Sequence, residues 1–223
     1  MYLNRFRALF IAASLSAFAV SVPANVPLYQ QQSQAADTSA IEKTFSQYRQ
    51  ALLDGDGSAA ANLVDSRTIA NYDEIVKNAL NMPRQNLAQL DFISKFMVLR
   101  IRHEFNKSQI EKMSGRELFV IGVEKGWISK STVSNVTQLA KIKVDLYKAS
   151  ASFPQAPDIP ALAFLNESGQ WKLALWQAFE LANMAMKPEV EKSGLTEEQF
   201  IMRLLGVLSS KKVDERILVA PLE

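Results

Sequence analysis

Apolar residues recur at three- and four-residue steps through the front half of the chain and at alternate residues further on. Ile41, Phe45, Tyr48 and Leu52 form one face of a predicted helix. Ser39 with Glu42 has the capping-box spacing for its start, and Asp54-Gly55-Asp56-Gly57 ends it. A short Ala-rich helix is expected over Ser58 to Val64. Another is expected over Ser66 to Asn81, with Ile69, Tyr72, Ile75 and Val76 inward, up to the break at Pro83. Residues 84–106 read as the longest helix. Its apolar residues cover most of the circumference, leaving a polar lane of Asp91, Lys95, Arg102 and Asn106. Such a helix is buried on more than one side, as a central helix or in an oligomer interface. Ser108 with Glu111 and Ser114 with Glu117 repeat the capping spacing and predict a helix from Gly115 to Lys125.

From Ser129 the texture changes to period two. Lys141 to Lys148 alternates Ile142, Val144 and Leu146 with polar neighbours, the pattern of a half-buried strand. Pro154, Pro157 and Pro160 mark a loop. Ala161 to Leu165 is a strand, Asn166-Glu167-Ser168-Gly169 a hairpin turn, and Gln170 to Phe179 its partner, with Leu181 to Met186 continuing after a bulge. Val133 to Thr137 is a weak extra strand. Thr196 with Gln199 caps a last helix, and Ile217 to Leu222 is a short apolar tail read as an edge strand. Helices first and strands later indicate an α+β fold.

The first residues carry the zones of a secretory signal. Arg5 and Arg7 precede an uncharged apolar run from Ala8 to Val22, too short for the roughly 20 residues that span a bilayer. Val22-Pro23-Ala24 offers cleavage after Ala24, with Ala17-Phe18-Ala19 and Ser33-Gln34-Ala35 as other candidate sites. The expected organisation is a signal peptide over 1–24 and a disordered polar spacer over 25–38. The α+β domain follows over 39–186, with a C-terminal helix and tail packed on it over 187–223. The expected location is periplasmic or secreted. The formal charge of +2 is matched by the two signal arginines, so the mature chain is near neutral, with little electrostatic basis for nucleic-acid binding. No second apolar stretch is long enough to span a bilayer, and no membrane partner is expected after signal cleavage. The chain has no cysteine, which excludes disulfides, thiolate metal sites and a cysteine nucleophile.

Asp54, Asp56, Ser58 and Asp65 sit at positions 1, 3, 5 and 12 of a calcium-loop spacing. Ala59 stands where that loop needs Gly, and Asp65 lacks the reach of Glu, so a helix–helix turn is the expected use. His103 is the single histidine, which rules out a multi-histidine zinc site; it is a candidate general base or a packed structural residue. Ser209-Ser210-Lys211-Lys212 has a Ser-x-x-Lys spacing without its companion motifs and reads as a solvated helix end. Trp171 and Trp176, five apart on one expected strand, would face opposite sides of a sheet, one under the helices and one toward a pocket or covering the sheet. No metal site and no cofactor is expected.

The stretch Ile41 to Leu63 joins an amphipathic helix, Asp-Gly-Asp-Gly and an Ala-rich helix. Leu162 to Leu173 follows much later, with Glu167, Gly169, Trp171 and Lys172 in an acid-x-Gly-x-Trp-Lys turn. Together they resemble the nuclear transport factor 2-like superfamily, in its exported bacterial form. The resemblance implies a curved antiparallel sheet wrapped around N-terminal helices as a cone with an internal cavity, here with a helical insert and a C-terminal helix. Some members are isomerases, dehydratases or cyclases that use carboxylates and a Tyr inside the cavity. None of those residues maps onto this chain by motif, and the insert from Arg84 to Lys125 departs from the enzymes. The expected function is an exported non-catalytic domain that binds a small apolar ligand or a protein partner through the cavity. Tyr147, Trp171, Trp176 and His103 are the candidate ligand-binding residues. A cavity enzyme and a homodimeric interaction protein of the cell envelope are the alternatives.

Overall fold

The computed structural model describes residues 28–128, 130, 134–209 and 211–223. The signal peptide and the candidate cleavage sites at Val22-Pro23-Ala24 and Ala17-Phe18-Ala19 lie outside the described residues; Ser33-Gln34-Ala35 lies within the helix Leu28–Asp54. The chain forms two compact units, Met1–Thr68 with Val120–Ala178, and Ile69–Phe119 with Phe179–Glu223.

The first unit begins with α1 (Leu28–Asp54), whose Ile41, Phe45, Tyr48 and Leu52 are buried as the stripe predicts. The segment expected to be a disordered spacer is helical from Leu28. It has no apolar stripe, so periodicity could not reveal it, but its Gln and Ala residues suit a helix well and Thr38 Oγ1 donates to the Gln34 carbonyl. Asp56 then caps α2 (Gly57–Ala61) by accepting from Ala59 N–H at 2.8 Å.

The sheet is an antiparallel meander in the order β1 (Ile142–Asp145), β2 (Lys148–Phe153), β3 (Ala156–Glu167) and β4 (Gln170–Leu173). The strand expected over Lys141 to Lys148 is instead β1 plus a tight turn at Leu146-Tyr147. The expected proline loop is mostly strand. Pro157 and Pro160 lie in β3, where register shifts between Ala151 and Phe153 leave room for residues that cannot donate, and Ser152 Oγ donates to the Pro157 carbonyl at 2.8 Å. The expected strand over Gln170 to Phe179 stops at Leu173. Trp176 opens α8 (Trp176–Ser193), which also takes in Leu181 to Met186. Residues 134–137 of the weak extra strand are not in a strand, and Val133 lies outside the described residues.

The sheet is fixed to α1 by hydrogen bonds as well as packing. Thr44 Oγ1 donates to the Trp171 carbonyl at 3.0 Å, and Trp171 Nε1 donates to Asp37 at 2.9 Å. Leu173 also exchanges backbone hydrogen bonds with Leu63 and Asp65, so β4 pairs on its other edge with the segment after α2.

The division falls within α3 (Ser66–Asn81), α7 (Gly115–Glu124) and α8. The remainder of the second unit is α4 (Arg84–Leu87), α5 (Phe92–Glu104), α6 (Lys107–Ile110), α9 (Glu197–Leu208) and a 3-10 turn at Glu215–Leu218. The long helix expected over 84–106 is broken because Asp91, read as part of a polar lane, caps α5 by accepting from Ser94 N–H at 2.9 Å. Lys95 and Arg102 of the same lane are buried, Lys95 paired with Glu197 of α9. The capping boxes at Ser114/Glu117 and Thr196/Gln199 form as expected. At α6 the box uses Asn106 and Gln109, not Ser108 and Glu111. The tail expected as an edge strand is the 3-10 turn followed by a single bridge between Leu222 and Asn106.

Candidate functional site

The candidate residues serve different neighbours. Trp171, on β4, is buried, with its indole N–H and its carbonyl both occupied by α1. Trp176 lies on a helix rather than beside Trp171 on a strand. Its ring carries the Arg67 guanidinium at 4.0 Å, and its Nε1 is buried without a hydrogen-bond partner. Tyr147 sits on the β1–β2 turn, 57% exposed, with Lys148 Nζ 5.3 Å from its ring centre. Tyr147, Trp171 and Trp176 therefore do not line one shared pocket. His103 belongs to the second unit, near the end of α5. It is buried with an unpartnered Nε2.

The space between α1 and the sheet is occupied by the chain's own side chains. Phe45 of α1 stands 6.4 Å from Phe153 of β2, ring centre to ring centre, and Phe164, Trp171 and Leu173 from β3 and β4 are buried on the same unit. An open, shallow depression lined by Gln34, Ala35, Thr38, Ser39 and Glu42 runs along one face of α1 alone.

A polar cluster that sequence reasoning missed lies at the start of α3. Asp65 is fully buried; its Oδ1 accepts from Thr68 N–H at 3.1 Å and from Thr68 Oγ1. Thr68 Oγ1 in turn accepts from Leu175 N–H at 3.0 Å and Trp176 N–H at 3.3 Å. One carboxylate and one hydroxyl thus cap the N-termini of α3 and α8, where aligned peptide dipoles favour negative charge. The Asp-x-x-Thr spacing ahead of an amphipathic run was the available signal. Asp65 Oδ2 remains without a partner. Asp54 accepts from the Gln50 side chain and Asp56 caps α2, so the calcium-like spacing is spent on helix ends. Among the described residues no cluster of metal-ligating side chains occurs.

In the second unit, Arg102 is fully buried and donates to backbone carbonyls only. Nε reaches Ala79 O at 2.7 Å, Nη1 reaches Ile217 O at 3.1 Å, and Nη2 is shared by Asn78 O at 3.3 Å and Met82 O. Two of these acceptors, Asn78 and Ala79, belong to the last turn of α3 and Met82 follows it directly, so the cation sits where a helix terminus leaves carbonyls open and its dipole favours positive charge. Burial pushes its pKa down to about 10, which leaves it charged at neutral pH. Next to it, burial lowers the His103 pKa; Glu104 opposes that shift, while Lys211 and Arg100 add to it.

No family model matches the chain, and neither does a curated protein or a solved structure.

Proposed function

We propose that the chain is an exported, non-catalytic binding domain of the cell envelope that meets its partner at its outer surface. The reading rests chiefly on the filled interior. Phe45 stands close to Phe153, and Phe164, Trp171 and Leu173 are buried in the same unit, which supports the partner version over the small-apolar-ligand version. Export is supported by Arg5, Arg7, the apolar run and Val22-Pro23-Ala24. In this proposal α1 held against a bent meander is the nuclear transport factor 2-like cone in outline, supported by the order of helix, Asp-Gly-Asp-Gly turn and late Glu-x-Gly-x-Trp-Lys hairpin.

Mass spectrometry of the chain purified natively from an exported fraction tests it. The expected species starts at Asn25 and carries no retained small molecule. A stoichiometric apolar ligand, or a chain held in the cytoplasm with Met1 intact, overturns the reading.

A further inference from the structure

We infer that the β1–β2 hairpin tip docks on an anionic lipid surface, an inference that rests on the outer-surface reading and names its partner. Asp145 and Lys148 close a two-residue turn whose central residues are Leu146 and Tyr147. Leu146 has φ of +51°, in the left-handed region where a bulky L side chain is disfavoured and Gly, Asn or Asp is usual. The sister turn between β3 and β4 obeys that rule, placing Ser168 and Gly169 at +51° and +83°. Leu146 is also 85% exposed, so neither backbone nor packing within the fold calls for an apolar residue there.

The surroundings select the occupant. Lys143 and Lys148 are exposed on either arm of the hairpin, and Asp145 is the one acid of the turn itself; Asp158 pairs with Lys141 and also faces Lys143. The Lys148 ammonium lies beside the Tyr147 ring. Two protruding side chains offer far less than the roughly 800 Å² per partner of a standard protein interface. They suit a bilayer interface, where Leu enters the acyl boundary, Tyr sits at headgroup level and lysines meet lipid phosphates. No described helix is long and apolar enough to cross a membrane, and surface docking needs none.

Co-sedimentation of the purified chain with vesicles of phosphatidylglycerol and phosphatidylethanolamine, against phosphatidylcholine alone, tests the inference. The wild-type chain is expected to pellet with the anionic vesicles only, less so as salt is raised. Leu146→Asn, which suits a positive φ, is expected to melt at the same temperature or higher yet partition roughly tenfold more weakly. Lys143→Gln and Lys148→Gln are each expected to weaken partition about fivefold. A chain that stays in the supernatant with either vesicle, or an unchanged partition for Leu146→Asn, overturns the lipid inference. Neither result touches the outer-surface reading, which fails only if a small molecule is found inside or export does not occur.

Discussion

The indole N–H of Trp171 donates to the Asp37 carboxylate at 2.9 Å, tying β4 to a part of α1 that has no apolar stripe of its own. The bond fixes those early turns and leaves the tryptophan no free polar atom for a ligand. Trp171→Phe keeps a smaller aromatic ring and loses the donor. It is expected to destabilise the chain by about 1–2 kcal/mol in urea melts. Asp37→Ala should cost a similar amount, and the double variant little more than either alone.

Thr68 links Asp65 to the start of α8, so its hydroxyl holds two helix ends at once. Thr68→Val keeps the shape and removes those bonds. A loss of about 2–4 kcal/mol in denaturant midpoint analysis is expected, since buried N–H groups are left unpaired. Asp65→Asn retains an acceptor for Thr68 and should cost roughly 1 kcal/mol.

Arg102 donates to four backbone carbonyls, which distinguishes it from one half of a buried ion pair. Arg102→Met is expected to lose about 3–5 kcal/mol, because several buried carbonyls lose their donors together. Arg102→Lys keeps the charge but not the fork, and should recover less than half of that loss. Thermal denaturation of both variants checks the order.

His103 gives the fold a pH dependence of known sign. Its folded pKa lies below the ordinary 6.5, so above that value the group is neutral in both states and its full contribution is present. As pH falls past 6.5 the unfolded chain takes up the proton first, and stability drops until the lower folded pKa is passed. Wild type should therefore lose stability relative to His103→Gln between about pH 7.5 and pH 5. A difference that stays constant across that range would contradict burial as the cause.

What the sequence makes legible is what neighbouring residues decide. The stripe Ile41, Phe45, Tyr48 and Leu52, and the boxes at Ser114/Glu117 and Thr196/Gln199, need only three or four residues of context. Trp176 is different: its helix is capped by Thr68, 108 residues away, so the local pattern of alternating residues extends a strand that ends at Leu173. Asp91 and Arg102 look like one solvated lane, yet one is a cap and the other is buried against α3. Of the candidate residues, Tyr147 is placed by a turn the alternation could not show, because Leu146 keeps the period while the chain reverses.

The most direct measurement is an NMR titration of the purified chain with a medium-chain fatty acid, followed at the backbone amides of Phe45, Phe153 and Trp171. A filled interior leaves those resonances unmoved at saturating probe. Saturable shifts converging on the three residues would mean that the space between α1 and the sheet admits a ligand, and would contradict binding at the outer surface.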